Sequence, residues 1–100
     1  KIFSKNKTTF CYCISEYPAD MNKIDWKNAI KFDGFSDHAL GIIAPIIFAV
    51  LKKQQKSKNI LIKKHVKLNN SSGSDAGSSI DTEELSELVK VIRQIERLRI

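Results

Sequence analysis

Two imidazoles stand out in a chain of 100 residues that holds no others: His38, inside Ser36-Asp37-His38, and His65, inside Lys63-Lys64-His65. Histidine is the commonest nitrogen ligand of divalent transition metals, and two of them leave several coordination positions open for substrate or water. The same residues can also be hydrogen-bonded structural groups, and spacing alone leaves both readings open. Near them in type are hydroxyls and a carboxylate able to hold an oxyanion or a sugar: Ser15 and Tyr17 in "CISEYPAD", Ser36, and Asp75 in a Gly/Ser stretch. Each has a plainer role as well: a strand-end cap for the serines, packing for Tyr17, a turn for Asp75.

What brings such residues together is the alternation of elements. Thr8–Ser15 is β-branched and aromatic, and reads as a strand buried on both faces. Pro18 ends it. Residues 22–32 read as a short helix with Ile24, Ala29 and Ile30 roughly on one side, and "GFSDH" (34–38) as a second strand. Residues 39–53 form an apolar helix, with Pro45 expected in its first turn, where the missing N–H costs least. The run "KKQQKSK" (52–58) reads as a polar connector, "NILIKKHV" (59–66) as a third strand, and residues 69–79 as a loop. The last helix is capped by Asp81 with Glu84 as its capping-box partner. Its apolar stripe is Leu85, Leu88, Val89, Ile92, Ile95 and Leu98, and Arg93, Arg97 and Arg99 lie at its end, as the helix dipole favours.

The order β-α-β-α-β-α predicts an α/β architecture with a parallel sheet in a single segment, residues 1–100. Side chains alternate along a strand, so Ser15 and Tyr17 share one face, Ser36 and His38 share another, and Asp37 points the opposite way. Each strand thus finishes in polar groups, and ligands of parallel α/β folds bind at the carboxyl ends of strands. Three strands are too few to cover both faces of a parallel sheet, so the segment reads as part of something larger.

Composition narrows the partners. The net charge is +6. A small basic nucleic-acid-binding module is an alternative on charge alone, but no aromatic residues interleave with the lysines of 52–58, so nucleic acid is not the expected partner. The apolar run of 39–51 falls short of the about 20 residues a membrane span needs. Cys11 and Cys13 are the only cysteines. Two apart on a strand, their Cα atoms lie about 6.5–7 Å from each other, too far for an easy disulfide. No second pair completes a C-x-C metal site, so they read as buried thiols of a reduced, cytoplasmic protein.

The motifs "CISEYPAD", "GFSDHALGI" running into "APIIFAV", "KKHVKL", and "GSD" followed by "SSIDTEEL" stand in an order that resembles the sialic acid synthase family. The resemblance covers about Thr8 to Ile100. It implies the last three βα units of a TIM barrel, without the small antifreeze-like domain that usually follows. It implies condensation of phosphoenolpyruvate with an open-chain N-acylated hexosamine of the N-acetylmannosamine type. In that reaction C3 of the enol joins the sugar aldehyde, polarised by Mn²⁺ or Mg²⁺ as Lewis acid; water captures C2 and phosphate leaves. Carried over residue by residue, His38 and His65 match the metal ligands, and Ser36 and Ser15 lie against phosphoenolpyruvate. Tyr17 and Asp75 lie against the sugar, as the catalytic pair of this segment. The full-length enzyme is implied to be a homodimer. Departures are Ser74 and Ala76 in the loop motif and, above all, Lys63, where many relatives have glutamate. The missing barrel units and Lys63 make an inactive isolated chain, or an inactive remnant of the family, the alternative expectation.

Overall fold

The structure is a computed structural model that describes residues 9–14, 19–67 and 79–100. Among the described residues three parallel strands form one sheet in the order β1 (Cys11–Tyr12), β2 (Gly34–Asp37), β3 (Leu61–Lys64). The helices are α1 (Trp26–Ala29), α2 (Ile43–Gln54) and α3 (Thr82–Glu96). The α/β class, the parallel sheet and the β-α-β-α-β-α order are as expected from the sequence. No helix among the described residues is long and apolar enough to cross a membrane.

Register assigns the two faces. Cys11 pairs with Gly34 and Gly34 with Leu61; Ser36 pairs with Lys63, and Asp37 with Lys64. One face therefore carries Tyr12, Phe35, Asp37, Ile62 and Lys64, and the helices cover it. Phe48 of α2 is fully buried and stacks on Phe35 at 5.1 Å, Trp26 stacks on Phe35 at 5.7 Å, and Tyr12 lies parallel to it at 6.3 Å. The other face carries Cys11, Gly34, Ser36, Leu61 and Lys63, and Leu61 and Lys63 are exposed on it. Glycine suits position 34 because a Cβ there would stand 2.5 Å from Cys11 Sγ and 3.2 Å from Phe10 O.

Several boundaries differ from expectation, each for a local reason. The first strand is two residues long rather than eight: among the described residues only Cys11 and Tyr12 pair with β2, at Gly34 and Phe35. It is not buried on both faces: Phe10 is 70% exposed, Cys11 is half-buried and Cys13 exposed, so the expectation of buried thiols fails for Cys13. Both cysteines are free thiols. The expected helix over 22–32 splits into a 3₁₀ turn (Met21–Lys23) and α1. Asp20 accepts from Asn22 N and Asp25 from Asn28 N, so two N-caps lie within six residues and Ile24 between them is extended.

The second helix begins at Ile43 rather than Ala39. Ala39 instead bridges Ala19 in parallel, and Gly41 turns the chain with φ +69, a conformation side-chain-bearing residues avoid. Pro45 does sit in the first turn. Lys52 is not part of a solvated connector: it is buried in α2, its ammonium donating to Ile30 O at 2.9 Å and lying 3.6 Å from Asp33. In α3 the capping box of Asp81 and Glu84 is present, and Leu88 and Ile95 are buried. Val89 and Leu98 are largely exposed, so the buried stripe is narrower than the apolar one. The expected loop over 69–79 lies, save Ser79, outside the described residues.

Candidate active site at the strand mouths

Both imidazoles sit one residue beyond a strand, His38 after β2 and His65 after β3. Their rings lie together, centre to centre 6.5 Å apart and inclined by 36°. Adjacent parallel strands in register dictate this: Asp37 pairs with Lys64, so the next residue on each strand is a neighbour of the other. Each strand mouth is also held by a neighbouring segment, the chain before β2 at His38 and the chain after β3 at His65. Ala19 N donates to His38 O at 2.8 Å, and Ile80 N to His65 O at 3.0 Å. Ile80 is fully buried and bridges Val66 in parallel, which anchors the chain beside His65.

His38 is buried, and its Nδ1 lies 2.8 Å from Ile14 O. A carbonyl oxygen only accepts, so this bond places the proton on Nδ1 and makes Nε2 the lone-pair nitrogen of the neutral ring. Ser36 Oγ stands 3.4 Å from that Nε2. A backbone carbonyl that fixes the tautomer of one ring nitrogen is the usual support of a metal-ligating histidine on the other. The ring separation is at the outer limit for two imidazoles sharing one ion at about 2.1 Å from each nitrogen. The two rings supply nitrogen donors of the type a divalent ion takes, and they stand at that limit rather than inside it. Among the described residues no group of three or more His, Cys, Asp or Glu side chains converges.

Lys63 is the unfavourable element. It pairs with Ser36 in register and is exposed on the same open face. Its charge opposes a nearby dication unless the flexible stem carries it to solvent or to a carboxylate. Of the six residues singled out in the sequence, the structure brings Ser36, His38 and His65 together. Ser15, Tyr17 and Asp75 lie outside the described residues.

Sequence reasoning passed over one feature of this site. Behind the imidazoles, on the helix-covered face, Lys64 Nζ lies 2.9 Å from Asp37 Oδ2, the two side chains 3% and 1% exposed. Asp37 Oδ1 accepts from Ala39 N at 2.9 Å, and Lys64 Nζ donates to Ala39 O. The ammonium approaches Oδ2 off the direction of a good hydrogen bond, so that oxygen has an ion-pair partner but no well-directed donor. Strand parity placed Asp37 opposite His38, and Lys64 follows from the register by the same rule.

The fold and the paired imidazoles define a parallel α/β segment with its polar groups at the carboxyl ends of the strands. The model of the NeuB family matches residues 2–99, and the chain belongs to that family. The chain is 38% identical over 96 residues to an uncharacterized protein of Methanocaldococcus jannaschii, covering 87% of this chain and 26% of the relative. It is 34% identical over 101 residues to the N,N'-diacetyllegionaminic acid synthase of Campylobacter jejuni, covering 93% and 28%. A pseudaminic acid synthase of the same species is 31% identical over 106 residues, covering 96% and 29%. The chain thus spans little more than a quarter of the length of these relatives.

Proposed function

We propose that this chain is the last three βα units of a TIM-barrel synthase domain that condenses phosphoenolpyruvate with an N-acylated hexosamine. The product is a sialic or related nonulosonic acid, with release of phosphate. The observation that carries the reading is the imidazole pair at two adjacent strand mouths, with the His38 tautomer set by Ile14 O. Two relatives, an N,N'-diacetyllegionaminic acid synthase and a pseudaminic acid synthase, support the product class. The open face bearing Leu61 and Lys63 is the face that the rest of a barrel would cover.

In this reading His38 and His65 hold a divalent ion, Mn²⁺ or Mg²⁺, each through a neutral ring nitrogen. Such an ion, when bound, supplies Lewis acidity toward the sugar aldehyde. Ser36 donates its hydroxyl to a carboxylate or phosphate oxygen of phosphoenolpyruvate, and Ser15 does the same. Tyr17 and Asp75 orient the sugar. Ile14 O keeps the His38 proton on Nδ1, so the ring presents a lone pair and not a proton to the site. Cytoplasmic location and a homodimeric full-length enzyme belong to the same proposal.

Lys63 favours a second reading, a family member that has lost its metal and its activity. Manganese binding to the longest natural polypeptide containing this chain, followed by electron paramagnetic resonance, separates the two. The first reading expects binding that is lost in His38→Ala and in His65→Ala. Absence of binding in the unaltered protein, restored by Lys63→Glu, establishes the second.

A further inference from the structure

We propose that Asp37 and Lys64 are positioning residues for the imidazole pair, acting through the peptide of Ala39. Three observations converge. Each residue directly precedes one imidazole in sequence, and the two are register partners on adjacent strands. Both are buried on the face away from the imidazoles, so neither touches a ligand there. Between them they grip both polar groups of one residue: Asp37 Oδ1 takes the Ala39 N–H at 2.9 Å, and Lys64 Nζ donates to the Ala39 carbonyl.

The physical logic rests on what a buried ion pair does and does not supply. Removing two charges from water offsets most of their attraction, and apolar side chains of similar volume often serve stability as well or better. Apolar side chains cannot, however, make directional bonds to a peptide. What this pair adds is geometry. The β2 ladder holds the chain before His38, and the clamp on Ala39 holds the chain after it. Because the ammonium comes from β3, one residue before His65, the same contact fixes one strand mouth against the other. The separation and tilt of the rings are set from behind by groups that never enter the site. The inference about ring geometry stands by itself; its bearing on catalysis rests on the function proposed above.

Two double variants of the unaltered polypeptide test it. Asp37→Leu with Lys64→Met removes charge and hydrogen bonds together. Asp37→Asn with Lys64→Gln removes the charge and keeps an acceptor for Ala39 N–H and a donor for Ala39 O. Urea midpoint, exchange of the Ala39 amide, ring-to-ring proton contacts of the two histidines by NMR, and Co²⁺ affinity are measured for each. We expect the apolar pair to stay folded at a lower urea midpoint, exchange the Ala39 amide at least about tenfold faster than its global unfolding accounts for, lose the ring contacts and bind Co²⁺ about 10–100-fold more weakly. The Asn/Gln pair keeps all four at wild-type values. A folded apolar pair with wild-type ring contacts and Ala39 exchange overturns the proposal. So does a folded Asn/Gln pair that loses the ring contacts, which covers the case in which the apolar pair fails to fold. If the unaltered protein shows ring contacts that respond as expected but binds no Co²⁺, the metal reading fails and the positioning role stands.

Discussion

Lys64→Met alone is the substitution with the largest consequence that the structure allows us to work out. It removes the ammonium and leaves a side chain of similar length to fill the space. The Asp37 carboxylate, 1% exposed, then keeps a single donor, the Ala39 N–H, and loses its counter-charge. The Ala39 carbonyl loses its side-chain donor as well. Breaking one partner out of a buried ion pair costs about 3–5 kcal/mol, because the remaining charge is buried without compensation. A folding domain holds roughly 5–15 kcal/mol in all, so the loss consumes much of it. Urea titration by far-ultraviolet circular dichroism reads the effect directly. Adding Asp37→Leu to the same chain should restore part of the loss: the unpaired buried charge goes, but the Ala39 N–H and carbonyl stay without their side-chain partners. A midpoint shift in Lys64→Met equivalent to less than about 1 kcal/mol would refute the claim that the pair is buried and mutually dependent.

Three further outcomes follow from single contacts. Gly34→Ala places a Cβ 2.5 Å from Cys11 Sγ and 3.2 Å from Phe10 O, and should destabilise by about 1–3 kcal/mol in urea; adding Cys11→Ala removes the worse clash and should recover part of that. Asp81→Ala removes the N-cap of α3 and should cost about 0.5–2 kcal/mol by the same assay, with Asp81→Asn close to wild type. Lys52→Met keeps the packing of the stem but strips Ile30 O of its donor, for a loss of about 1–3 kcal/mol in thermal denaturation, whereas a truly solvated lysine would show none.

How far the sequence could be read depended on how local the deciding interaction was. The α3 capping box is decided within four residues, and it is present as expected. The sharing of a face by Ser36 and His38 follows from strand parity, and their side chains do meet. Parity also put Asp37 on the opposite face, but it names a face and not a partner. Lys64 becomes that partner only through the β2–β3 register, a long-range property. Lys52 was hidden by its neighbours: in a lysine-rich run, composition does not reveal which ammonium turns inward to Ile30 O. The first strand is shorter than its β-branched and aromatic content suggests, because such content measures compatibility with a strand, whereas the ladder to β2 forms, among the described residues, only at Cys11 and Tyr12. The break at Ile24 follows from two competing aspartate caps, a signal present in the sequence at Asp20 and Asp25.

The claim on which the functional account turns is that His38 and His65 together serve a condensation of phosphoenolpyruvate. It is tested most directly by phosphate release from phosphoenolpyruvate, measured on the longest natural polypeptide containing this chain with Mn²⁺ and an N-acylated hexosamine, comparing the unaltered protein with His38→Ala, His65→Ala and the double variant. The account predicts release that requires both the sugar and the ion, is abolished in either single variant with the circular dichroism spectrum unchanged, and is little worse in the double, since the two rings act as a unit. Turnover in His38→Ala equal to that of the unaltered protein, with its metal content intact, would contradict it.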